Sequence, residues 1–259
     1  MVEDYTVFCE KLWRSWLDDN LTAPQLAASS FTRRVFDLNS APEPYISFGA
    51  AAKPLIVLTT NPGAPMPHQC RAAVRAGRGP LSESDKYAVA ASKLGDFYED
   101  PTRLTGQAQQ RIRKVRKLCS LLGCDGVLQV EACPFHSPSL PQKRVLSQEI
   151  PKDELLGRYA ECLRTFLRDR PVVCVQAAST RFSLGPTTPK ESSWIKWIAD
   201  IAGLDLDDAK FVALLMKNSK TTAGAWVSKV GVRKALILMM GTNNLPGDES
   251  LAYLAAELH

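Results

Sequence analysis

Residues 54–68 read PLIVLTTNPGAPMPH. Leu55 to Leu58 are four aliphatics in a row, followed by two threonines, with no polar alternation. Such a run predicts a strand buried on both faces, as in a parallel sheet covered by helices. Asn61-Pro62-Gly63 then ends it. Pro62 removes a backbone N–H and fixes its own φ, while Gly63 admits a positive φ. The chain is therefore held stiffly at the carboxyl end of a buried strand.

Four further β-rich runs lie outward from this one: 127–132 (VLQVEA), 171–177 (PVVCVQA), 211–216 (FVALLM) and 235–240 (ALILMM). Helix-like stretches cover 4–17, 82–98, 107–122, 152–169, 191–202 and 248–258. The alternation predicts an α/β protein with three α/β/α layers and a central, mostly parallel sheet of four to five strands. One domain over 1–259 is expected, with 1–50 as a helical N-terminal cover. Residues 211–230 read as a β-hairpin arm whose tip runs from Asn218 to Gly224.

The chain has 259 residues, 45% hydrophobic and 23% charged, which excludes disorder as its main state. The net charge of +5 permits a polyanionic partner without demanding one. The longest apolar runs are far short of the ~18–20 residues that span a bilayer, and MVEDY is unlike an export signal. Seven cysteines stand without a CxxC pair, which reads as buried thiols in a reducing cytoplasm.

In such sheets, ligands bind beyond the carboxyl ends of the strands. The residues there are 59–68, 132–139 (ACPFHSPS), 178–183 and 241–248 (GTNNLPGD). Asn61 offers a held amide that could orient a water, although an ordinary Asn-Pro-Gly turn reads the same way. No lysine lies in the first two loops, so an amine nucleophile is not expected.

LIVLTTNPGAP resembles the first motif of the uracil-DNA glycosylase superfamily, in the GINPG form of its mismatch-specific branch. EACPF at 131–135 resembles the NLCPL element of the single-strand-selective branch. VVCVQAAST resembles the strand that supports the site, and GTNNLPGD stands where HPSPL or NPSGL is usual. By element order the resemblance covers residues 45–258. It implies a monofunctional, cofactor-free DNA glycosylase that flips a nucleotide out and hydrolyses the base from its sugar.

On that resemblance Asn61 places the water, and Pro62 and Gly63 border the sugar and base. Thr242, Asn243 and Asn244 form the second DNA-contacting loop, for which 217–224 is an alternative. Three departures stand out. Thr59 replaces a glycine. Position 61 is not the Asp of the most active branch, which implies slow turnover. The fourth loop lacks its usual His.

The departure at 131 bears on the base itself. An Asn that pairs with uracil is replaced by Glu131. A carboxylate only accepts hydrogen bonds, so it opposes uracil O4 and suits the N4 amino group of a cytosine. Glu131 could equally pair with a nearby Arg. Gln129 would share its sheet face, one step deeper.

A modified cytosine, as in phage DNA, is therefore the leading target, with anti-phage defence as the role. Conventional repair of uracil or mismatched pyrimidines is the alternative. A non-catalytic nucleic-acid binder is the third reading. Phe135 could stack on the base or sit in the core; His136 and His68 could contact it or be structural. RIRKVRK (111–117) carries five positive charges, of which Arg113 and Arg116, with Lys217 and Lys220, are phosphate candidates, as are Arg71, Arg75 and Arg78. The expected partner is DNA, with no membrane, no metal, no obligate protein partner and a monomeric state.

Overall fold

The computed structural model describes residues 3–22, 26–49, 52–82, 84, 86–100, 107–137, 139–178, 185–215, 221–240 and 245–259. Helices α1 (Tyr5–Leu17) and α2 (Ser30–Val35) precede strand β1 (Tyr45–Phe48). Strand β2 (Pro54–Thr59) leads into α3 (Arg71–Arg75), α4 (Tyr87–Glu99) and α5 (Gln107–Leu121). Strand β3 (Gly126–Glu131) is followed by α6 (Lys143–Glu149) and α7 (Glu154–Leu167). Then come β4 (Val172–Ala178), α8 (Ser193–Ala202), β5 (Lys210–Leu215), β6 (Thr221–Val227), β7 (Lys234–Met240) and α9 (Asp248–Leu258).

The strands form one sheet in the order β1-β3-β2-β4-β7-β6-β5. The inner four, β3-β2-β4-β7, are parallel. β1 on one side and β6–β5 on the other run antiparallel. From β2 the chain steps outward to β3, then crosses back to β4. Right-handed crossovers in opposite directions place their helices on opposite faces. The packing agrees: α5 lies against β3 and α9, while α7 and α6 lie against α8, which covers β4. The reversal falls between β2 and β4, the place at whose carboxyl ends sheets of this kind bind their ligands.

The five strand-like runs all join this sheet, but it has seven strands and is mixed, larger and less parallel than expected. β1 carries only four residues, YISF, with alternate burial, too short a pattern to stand out from a helical cover. It pairs Tyr45 with Val130 and Phe48 with Val127. The 211–230 segment is no separate arm, because β6 sits between β5 and β7. Gly224, expected at the tip, lies within β6 opposite Ala213 and Leu238. A Cβ there would meet the Phe211 ring at 2.8 Å, so the glycine lets Phe211 cross the strand.

Leu55–Leu58 are all buried, as the uninterrupted run requires. In α1, Tyr5, Phe8, Leu12, Trp13 and Trp16 repeat every three or four residues and face inward. Asp4 caps that helix by accepting from the N–H groups of Thr6 and Val7. Tyr5 Oη donates to the Pro44 carbonyl (2.9 Å) and Trp13 Nε1 to that of Ser84 (3.0 Å), fastening the N-terminal segment over the β1 edge. At the opposite end of the sheet, buried Lys234 donates to the carbonyls of Leu167, Arg168 and Ala202. Its charge meets the negative ends of two helices, which makes its burial tolerable. Among the described residues no helix is long and apolar enough to cross a membrane.

Candidate active site

β2 and β3 end side by side, with Thr59 opposite Glu131. The two chains stay together beyond the strands: Ala132 N–H donates to the Thr59 carbonyl and Cys133 N–H to that of Thr60, both at 2.9 Å. The loops then lock. Ser137 N–H donates to the Gly63 carbonyl (3.0 Å), and His136 Nδ1 lies 3.3 Å from the same oxygen. Gly63 has φ +84°, which a side chain would strain, and a Cβ there would face open space. NPG and CPFHS are thus one structural unit. Within it the Asn61 Nδ2 is buried and has no hydrogen-bond partner among the described residues. An unpaired buried amide donor is costly, and it points to a group that completes it.

Glu131 is 1% exposed. One of its oxygens accepts from Thr59 Oγ1 (2.5 Å) and the other from Gln129 Nε2 (2.7 Å). Gln129 therefore shares its face, one step deeper. Arg111 on α5 donates to Gln129 Oε1 (3.1 Å), so the arginine reaches Glu131 through an amide. Burial pushes the Glu131 carboxyl up to about 7, opposed chiefly by the Arg111 charge. The arrangement falls between the two sequence readings. The carboxylate is held by internal donors, yet each oxygen keeps a further lone-pair position.

Three residues of this region carried no signal in the sequence. Glu43, from a PEP segment before β1, is buried behind the second loop. It accepts from Gln69 Nε2 and lies 3.5 Å from His136 Nε2, and its charge adds to the upward push on Glu131. Gln176 on β4 is fully buried. Its Oε1 accepts from Thr60 Oγ1 (2.9 Å) and Trp194 Nε1 (3.0 Å), leaving its Nε2 without a partner among the described residues. Indole N–H can only donate, so this orientation of the amide is the one the site requires. Lys143, at the start of α6, donates to the Ala177 carbonyl (3.0 Å). Isolated polar residues of these types have no period or spacing to mark them.

Asn61, Pro62, Gly63, Glu131 and His136 come together at one end of the sheet. Phe135 lies in the core, fully buried with its ring 6.2 Å from that of Phe36. His68 packs on Phe97, ring centroids 4.9 Å apart. Arg113 pairs with Asp248 (3.3 Å) at the surface, and Arg116 with Glu99 in a half-buried pair. Arg71 pairs with Asp19 and donates to the Leu38 carbonyl, and Arg75 donates to that of Leu17. Both pin α3 to the N-terminal segment. Lys217, Lys220, Thr242, Asn243 and Asn244 lie outside the described residues. No protein family, curated protein or solved structure matches this chain.

Proposed function

We propose that the protein is a DNA N-glycosylase, a hydrolase that flips a base from the helix and leaves an abasic site. The observation that supports this reading is the buried Asn61 amide, without a partner among the described residues and held by two interlocked loops at the carboxyl ends of β2 and β3. Asn61 would orient the attacking water toward C1′. The sugar develops oxocarbenium character as the base leaves, and the fixed amide dipoles around Asn61 meet that charge without reorganising. The reaction so written uses water and protein groups alone. A modified cytosine is the leading target, because ionised Glu131 accepts from an N4 amino group. Removal of such bases from phage DNA would be a defence. Excision of uracil or a mismatched pyrimidine is favoured by one observation: with its carboxyl lifted to about 7, protonated Glu131 can donate to O4.

Asn61→Ala tests catalysis directly. Alkali-revealed strand breaks on DNAs carrying uracil, thymine mismatches and methyl-, hydroxymethyl- or glucosylated cytosine should fall roughly 100-fold or more on the preferred base. DNA affinity should change only a few-fold. Unchanged product formation would remove Asn61 from the mechanism, and no product from the parent protein on any base would leave the binder reading.

Binding should weaken steeply with salt, since Arg and Lys contacts to phosphate release counterions. Three to four such contacts predict a roughly 40- to 150-fold loss of affinity between 50 and 200 mM salt. Arg113 remains available, because its exposed ion pair with Asp248 contributes little, whereas Arg116 would have to leave a half-buried pair with Glu99. Charge reversal at both should weaken binding whatever the base. An affinity flat in salt contradicts the DNA reading.

A further inference from the structure

Lys143 opens α6 and reaches back to the sheet, where its Nζ donates to the Ala177 carbonyl. The β2–β4 register runs Ile56 with Val172, Val57 with Val173 and Leu58 with Cys174. The Thr60–Gln176 hydrogen bond carries that register past the paired strands. Extended one residue further, that register would set Asn61 beside Ala177. With adjacent strands about 4.8 Å apart, an amine on the Ala177 carbonyl would then stand within roughly 8 Å of the Asn61 backbone. The side chain is half-buried, and desolvation lowers its pKa below the ordinary lysine value. A Gln would satisfy one carbonyl without burying a charge, so the hydrogen bond alone does not account for a lysine here.

We infer that Lys143 is an amine nucleophile of this same site, which forms an imine with the ring-opened abasic sugar and makes the protein an abasic-site lyase as well. The inference rests on the glycosylase reading, which puts C1′ of the sugar beside Asn61. It also revises the expectation of a monofunctional enzyme. That expectation followed from the two loops, and the amine arrives instead from the helix after the second one.

The step is a condensation followed by an elimination. The Nζ lone pair adds to the C1′ carbonyl carbon of the aldehyde. One proton passes from nitrogen to oxygen to give the carbinolamine; the second nitrogen proton is then given up as that oxygen is protonated and leaves as water, giving the imine. The imine acidifies the C2′–H bond. Loss of that proton to water forms the C2′–C3′ double bond as the C3′–O bond breaks, and the 3′ phosphate departs with its electron pair. Hydrolysis of the imine returns the free amine.

The full chain is incubated with a duplex holding a preformed abasic site, with borohydride to reduce any imine to a stable amine. A covalent protein–DNA adduct is expected, with peptide mapping placing the linkage at Lys143. Lys143→Arg keeps a cation for the Ala177 carbonyl but forms no stable imine, so the adduct should fall at least about 20-fold. Without borohydride, the strand should break without alkali. No adduct, or one mapped elsewhere and unchanged in Lys143→Arg, overturns the inference. Mapping on the parent protein does not depend on how the variant folds. Excision on the base panel is scored separately. Base release without an adduct removes only the lyase. An adduct without release of any base keeps the amine site and removes the glycosylase reading.

Discussion

Glu131→Gln is expected to reverse the protein's preference among bases. With the ionised carboxylate in place, the ratio of rates on cytosine-type over uracil-type bases should rise as pH climbs through about 7. On the glycosylase reading proposed above, the carboxylate would accept from N4 and its protonated form would donate to O4. A hydrogen bond to a charged group is worth about 1.5–3 kcal/mol, so the selectivity ratio should change roughly 10- to 150-fold. In the variant the ratio should be flat with pH. The site can take the new amide, which donates to Thr59 Oγ1 while the hydroxyl's own proton turns to the Val130 carbonyl at 3.4 Å. A variant that behaves like the parent on every base would make Glu131 a purely structural carboxylate.

The same substitution changes stability in a direction that pH decides. Unfolded, this carboxyl titrates near 4.5; folded, near 7. Between those values the native state keeps a proton that the unfolded state has released. The raised pKa therefore favours folding below about 4.5, and that contribution is lost as pH rises through 7. At pH 8 the buried charge costs about 3 kcal/mol, which Glu131→Gln removes. Its Tm should exceed the parent's by roughly 5–10 °C at pH 8 and match it near pH 4. A difference independent of pH would show that the group titrates normally.

Gly95→Ala should be the most damaging single methyl in the molecule's helical layer. Gly95 lies on the face of α4 that meets β1, and a Cβ there would stand 1.8 Å from the Ser47 carbonyl oxygen. The obstacle is backbone, so it cannot rotate aside. The helix must lift or β1 must leave β3. Tyr87 Oη, which donates to the Tyr45 carbonyl at 2.6 Å, would be pulled off with it. Overpacking ordinarily costs 1–3 kcal/mol; here about 3 kcal/mol or more is expected, read as a lowered denaturant midpoint. Because β1 flanks the strand that carries Glu131, excision should fall too, and stabilising co-solutes should partly restore it. A midpoint within about 0.5 kcal/mol of the parent would show that α4 sits further from β1 than this geometry requires.

The parallel core and one half of the site were legible in the sequence. The aliphatic run 55–58, the NPG stop and the apolar stripe of α1 each act through the nearest few residues. A single chain pattern therefore records them. It also located Asn61 and Glu131 at strand ends, and placed Gln129 on the face of Glu131. What lay beyond it was pairing. A four-residue β1 and the place of β6 between β5 and β7 depend on partners distant in the chain. The same holds within the site. The sequence left Glu131 open between a base reader and a carboxylate paired with an Arg, whereas burial first, and then Arg111, Thr59, Gln129 and Glu43 arriving from four segments, set its charge state. Gln176 and Lys143 stand alone among their neighbours and become notable only where the fold brings Gln176 to Thr60 and Lys143 to the Ala177 carbonyl. Local sequence determines which segments can be strands or helices, because burial has a period. Only tertiary structure decides which polar groups lose water together, and on the proposed reading that loss of water would give Asn61, Glu131 and Lys143 their chemistry.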